Sequence, residues 1–234
     1  MQELIEFCRG PLFRFTFFIM VFGLLRILFL DVWGAFDAYR RAGDKQLAWG
    51  AALSQTLQWL FPVKHAFTHR PLYGLFSILF HIGLIIVPIF LLAHIQLWND
   101  SIGLSWWSIP HNWADYLTIL TIVCGVLLLI GRISSATSRY LSRKQDFLWP
   151  ALLILPFISG YMCASMTLSA SMYQIMMLVH LLSAELIFVL MPFTKIAHCV
   201  VMPISQFIIV LAWKFPAHVN EPIARTLRKE KEAA

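Results

Sequence analysis

Four of the eight histidines in this chain, His81, His94, His180 and His198, lie inside long apolar stretches, two on each of two stretches. A lone imidazole in such a setting is explained as well by a satisfied hydrogen bond as by ligation. Two pairs on two segments are harder to explain that way, because a polar group among apolar neighbours is costly to keep without a use. The intervals add to this. His180 and His198 are 18 residues apart, five full turns of an unbroken α-helix, so both rings would leave one face about 27 Å apart along the axis. His81 and His94 are 13 residues apart, a rise of about 19.5 Å and a rotation of about 220°, which does not return to the same face. Pro88 lies between them and removes a backbone hydrogen bond, so a kink or local unwinding there can turn His94 inward. Paired imidazoles with few carboxylates and no thiolate cluster suit the two axial positions of a haem iron better than a tetrahedral metal site, which wants more ligands at each level. The cysteines Cys8, Cys124, Cys163 and Cys199 form no CxxC pair and no CxxCH motif for covalent haem attachment, and read as core hydrophobes or free thiols. Glu185, the one carboxylate of the last apolar stretch, reads either as a proton-handling group or ligand partner, or as an ordinary buried hydrogen bond.

The elements that must position these residues follow from composition. Of 234 residues, 59% are hydrophobic and 13% charged, with a mean hydropathy of +0.74. A water-soluble domain of this size could not hide so much apolar surface behind so few charges, so the bilayer is the expected solvent. The expected fold is an all-α integral membrane protein, one domain over 1–234. Five stretches are long enough to cross roughly 30 Å of hydrocarbon, which takes about 20 residues: Leu12–Leu30, Leu72–Trp98, Trp113–Ile130, Phe147–Leu168 and Tyr173–His198. The first is followed by Asp31 and Trp33 rather than by a small-residue cleavage site, so it is expected to remain as an anchor. Between spans one and two, residues 48–61 mix apolar and amide side chains at helical spacing and read as an amphipathic interfacial helix or an ordinary loop helix. Residues 199–213 are apolar but contain Pro203, and read as a continuation or interfacial piece.

Charge sets the orientation. The net charge is +6, but 14 of the 18 basic residues fall in the first break (Arg40, Arg41, Lys45, Lys64, Arg70), the third (Arg132, Arg139, Arg143, Lys144) and the tail 214–234 (Lys214, Arg225, Arg228, Lys229, Lys231). By the positive-inside rule the amino terminus is outside and the carboxyl terminus cytoplasmic, and an odd number of spans makes the two agree. Trp98, Trp106, Trp107 and Trp113 gather at the external end of spans two and three, where indoles favour the interface. The basic residues therefore report topology, and nucleic acid drops out as a partner. With this orientation His81 and His198 lie at the inner level and His94 and His180 at the outer level.

The last span, from His180 to His198 through Pro192, Phe193, Thr194 and Lys195, resembles the final transmembrane helix of the cytochrome b (gamma) subunit of respiratory nitrate reductases. That helix carries two haem ligands at this interval and a similar Pro-Phe-Ser/Thr-basic run. The stretch Leu79-Phe80-His81-Ile82-Gly83 resembles the Phe-His-Ile-Gly start of that family's second helix. The resemblance covers five spans, the orientation and nearly the whole length. It implies a dihaem b-type cytochrome, with His81 and His198 as axial ligands of the haem near the cytoplasm and His94 and His180 of the haem near the outside. Members of that family have a shorter interval between the two helix-two histidines, which favours a relative in sulfite-reductase-associated, heterodisulfide-reductase-like or hydrogenase-linked membrane complexes. His65 and His69, in a basic stretch before the span, are the alternatives to His94 as fourth ligand, and His218 reads as a surface residue.

The function this implies is electron transfer between the quinone pool and an iron–sulfur subunit docked on the basic cytoplasmic loops, in the inner (cytoplasmic) membrane. The cofactors are two haem b and the substrate is quinone or menaquinone. A candidate quinone site is His111, Asp115 and Tyr116, with Trp106, Trp107 and Trp113 nearby. No Gly-rich phosphate loop or nucleophile elbow is present, so quinone redox is the one activity expected of the chain alone. The competing readings are a haem-free transporter or membrane anchor, in which the histidines bond to water or backbone, and a relative holding a single haem.

Overall fold

The computed structural model describes residues 1–41, 49–60 and 70–212. Among these, the chain is helical and contains no strand. Five helical stretches are long and apolar enough to cross a membrane: Gln2–Arg41, Pro71–Phe90, His111–Ser134, Lys144–Ser165 and Ala170–Phe193. Their outward faces carry large apolar side chains such as Phe15, Phe22, Phe29, Ile85, Val123 and Leu186, all exposed. A solvent other than water must cover such faces, and the protein is a multi-pass membrane protein. His65, His69, Lys45, Lys64, His218 and the basic tail 214–234 lie outside the described residues.

The chain forms two compact units, Met1–Met20 with Val63–Leu190, and Val21–Pro62 with Met191–Ala234. In the first, α1 (Gln2–Phe7) runs through a π-helical turn, Cys8–Leu12, into the start of α2 (Phe13–Arg41). The turn contains Pro11, whose missing N–H leaves the ordinary i→i−4 ladder one bond short. Next come α4 (Pro71–Phe90), α5 (Leu92–Ile102), α6 (His111–Ser134), the short α7 (Ala136–Leu141), α8 (Lys144–Ser165) and α9 (Ala170–Leu190). Helices α4, α6, α8 and α9 pack in sequence order, and α1 with the π turn lies on α9.

Close approach rests on small residues, as membrane helices require in the absence of a hydrophobic drive between them. A Cβ at Gly83 on α4 would collide with the Thr121 hydroxyl on α6, and one at Gly125 would come within 2.7 Å of Ile154 on α8. Around these points sits a core of Phe80, Cys124, Leu128 and Ile154. Buried hydroxyls are satisfied on their own helices: Thr118 donates to the Ala114 carbonyl at 2.7 Å, Thr121 to Leu117 at 2.6 Å and Ser159 to Leu155 at 2.9 Å. At one end, Arg70 donates to Ser135 and Ser138, and Arg132 to the Tyr73 hydroxyl.

In the second unit, α3 (Trp49–Leu60) packs against α10 (His198–Ala212). Ala52 and Thr56, one turn apart, form its buried stripe, which fits the amphipathic reading of residues 48–61. Helix α10 passes through Pro203 without interruption, where a break was expected. Pro192 packs where a Cβ on Gly23 would stand, and Ser205 donates to Asp31 at 2.6 Å.

Two expected spans are broken. Span two ends as α4 at Phe90, and Leu91 is extended (φ −72°, ψ 128°) before α5 begins. The last span ends as α9 at Leu190. It is followed by a 3-10 turn (Met191–Phe193), an extended Thr194 (φ −134°, ψ 178°) and a second 3-10 turn (Lys195–Ala197). Pro192 within the first turn cannot donate the bond that would continue the helix. The five-turn geometry expected between His180 and His198 on one unbroken helix therefore does not hold.

Candidate functional site: a pair of imidazoles at a helix break

The break after α4 is built so that no carbonyl is stranded. A helix end leaves its last four carbonyls without intrahelical partners, and in a bilayer each must be satisfied by protein. The Val87 carbonyl accepts from Leu91 N–H at 3.1 Å, that of Ile89 from the Trp106 indole at 2.9 Å and that of Phe90 from Ile109 N–H at 3.0 Å. The fourth, Pro88, accepts from Nδ1 of His94 at 3.1 Å. The segment after α5 thus folds back over the break, with Trp107 stacked on Phe90 at 4.4 Å and Trp106 edge-on to Trp98 at 5.7 Å. Those tryptophans, expected as interfacial anchors, also hold the break.

The break solves the rotation problem of the 13-residue interval. Restarting the helix at Leu92 frees His94 from the phase set by His81, and its ring lies 5.9 Å from that of His180, centroid to centroid, with an interplanar angle of 14°. His180, on α9, donates from Nδ1 to the Pro156 carbonyl of α8 at 2.8 Å. Gly160 makes this reach possible, because a Cβ there would stand 2.9 Å from Cε1 and Nδ1 of the His180 ring.

The same arrangement recurs at the other two histidines. His81 Nδ1 meets the Ser77 carbonyl at 2.7 Å and His198 Nδ1 the Lys195 carbonyl at 2.5 Å. A carbonyl only accepts, so in each of these contacts Nδ1 is the donor. This is how metal-ligating imidazoles are held, with one nitrogen fixed by a backbone acceptor and the other presented to the metal. His94 and His180, two neighbouring imidazoles each anchored to a carbonyl through Nδ1, are the residues that would hold a haem iron here. Among the described residues no group of three or more His, Cys, Asp and Glu side chains comes together.

His81 lies half-buried on α4 in the first unit, and His198 opens α10 in the second. His198 lines a groove of about 620 Å³ with Thr194, Lys195, Val201, Met202 and Ser205. Of the candidate quinone residues, the structure brings two together. Nε2 of His111 lies 3.6 Å from the Asp115 carboxylate, which also accepts from the Ser165 hydroxyl at 3.0 Å to each oxygen. Tyr116 stands exposed, edge-on to Trp113 at 6.5 Å. Sequence reasoning missed Ser165, Gly160 and the four carbonyl acceptors. Only Gly160 left a trace, as a small residue in the middle of a span.

No family model matches this chain, and no solved structure matches it. A curated protein of Nitratidesulfovibrio vulgaris (strain Hildenborough), described there only as "Protein", is 29% identical over 204 residues, covering 86% of this chain and 89% of that one.

Proposed function

We propose that this chain is a dihaem b-type cytochrome, the membrane subunit of a redox complex that passes electrons between quinone or menaquinone and a cytoplasmic iron–sulfur partner. The observation that carries the reading is the His94–His180 pair, rings 5.9 Å apart and each pinned through Nδ1 to a backbone carbonyl. These two residues would hold one haem, and His81 and His198 are the ligands that the resemblance implies for a second. A haem bound there would supply one-electron redox chemistry. The protein's part is to fix each ring. The carbonyls of Pro88, Pro156, Ser77 and Lys195 keep the proton on Nδ1, hold the ring plane and raise the basicity of Nε2. In the proposed orientation the amino terminus and the His94 level are outside, and the loops carrying Arg70, Arg132, Arg139 and Arg143 face a cytoplasmic partner in the inner membrane. The cluster His111–Asp115–Ser165 supplies polar groups for a quinone headgroup at the outer end. The resemblance of the His180–His198 segment and of Phe80-His81-Ile82-Gly83 to nitrate-reductase gamma subunits points the same way.

The test is a reduced-minus-oxidised optical spectrum of the purified full chain with a haem-to-chain ratio. Two b-type haems are expected. No haem signal overturns the reading, and a ratio near one would replace it with a single-haem subunit.

A further inference from the structure

Glu185 differs from the other buried polar side chains of the helical interior. Thr16, Thr118, Thr121, Ser159 and Ser183 each return a hydroxyl to a carbonyl of their own helix. Glu185 is 4% exposed, and neither of its oxygens has a hydrogen-bond partner. Among the described residues, no ion pair reaches it.

Its surroundings follow from its neighbours on α9. Leu181, one turn earlier, packs with Ile5 and Cys8, and Phe188, nearly one turn later, meets the ring of Phe13 at 6.1 Å. Positions 181, 185 and 188 share one helix face, so Glu185 is turned toward the π-helical segment Cys8–Leu12. Cys8, fully buried, packs against Leu181, one turn before Glu185. Of the titratable side chains on the elements packed here, Cys8 of the π turn is buried, whereas Arg9 of the same turn, Glu3 and Glu6 of α1 and Arg14 of α2 are exposed. His180, on α9 itself, turns to α8, and α8 carries no titratable group between Pro150 and Gly160.

An ionised carboxylate withdrawn from water without partners costs several kcal/mol, and hydrocarbon offers no water in exchange. Binding a proton removes that cost. Intramembrane carboxylic acids recur as stations in proton relays, and π turns recur at functional sites. We propose that Glu185 is a proton-binding site in the membrane interior, closed on one side by the Cys8–Leu12 turn, whose proton exchanges with water and serves the protonation changes of quinone. That use rests on the quinone reading above, because interconverting quinone and quinol moves two protons with two electrons; the site itself does not.

Infrared absorption of the full chain in lipid nanodiscs at neutral pH tests this. The wild type should show the carbonyl band of a protonated carboxyl, moving to lower frequency in D2O and lost completely in Glu185→Gln. Absence of the band from the wild type, its persistence in Glu185→Gln or its insensitivity to D2O each overturns the proposal. Should Glu185→Gln fail to accumulate, Cys8→Ser supplies a second reading. A hydroxyl facing the carboxyl should shift the band while the optical spectrum stays unchanged, and an unshifted band removes Cys8 and the π turn from the site. A chain with the band but no haem refutes the cytochrome reading and leaves the site standing; a haem-bearing chain without the band does the reverse.

Discussion

What fixes an imidazole for ligation is the group behind it. Each of the four candidate histidines meets a backbone carbonyl through Nδ1, which fixes the ring from behind. Removing the ring itself is the direct test, and His94→Ala should lose one haem of two, read as a halved haem-to-chain ratio with the remaining spectrum intact. A finer test leaves every ligand in place. Gly160→Ala puts a methyl where the His180 ring stands 2.9 Å away, so the ring must move off the Pro156 carbonyl. The expected outcome is loss or displacement of the same haem that His94→Ala removes, seen as a matching change in the difference spectrum. If Gly160→Ala binds both haems with unaltered bands, the Pro156 contact does not position the ligand.

At the scale of elements, the interruption after Phe90 decides most. A proline inside a membrane helix is tolerable only if the freed backbone groups find partners, and here the partners come from His94, Trp106 and Ile109. Trp106→Phe keeps the ring and strands the Ile89 carbonyl. It should cost about 1 kcal/mol, the usual net worth of one hydrogen bond, and appear as a lower unfolding temperature in detergent. An unchanged unfolding temperature would mean that the indole bond does not secure the break. The crossing of α4 and α6 makes a comparable demand. Gly83→Val would drive two methyls into Thr121, and overpacking of this kind costs about 1–3 kcal/mol or more. The same thermal measurement should show a larger loss than Trp106→Phe, because here two backbones must separate.

At the scale of the whole molecule, five helices among the described residues are long and apolar enough to cross a bilayer, and the proposed orientation follows from where the basic residues fall. Green fluorescent protein fused to the carboxyl terminus should fluoresce, and alkaline phosphatase fused there should be inactive; the opposite pair of results would invert the assignment of the two histidine levels. The existence of five long apolar helices and the helicity of residues 49–60 were legible in the sequence. They depend on composition and on spacing along one helix, which are local properties. The unbroken run from His180 to His198 was not, because Pro192 and Thr194 act through a backbone path that spacing arithmetic takes to be regular. Nor was the way His94 meets His180. Pro88 announced a disturbance, but its size and direction were set by residues 18 and 21 positions further on, Trp106 and Ile109, which cap the broken end, and by Gly160, which lets His180 swing to Pro156. The sequence by itself determined the solvent, the number of apolar crossings and the donor type. Only the tertiary structure decided which donors face each other, because that depends on carbonyl partners and close approaches contributed by other helices.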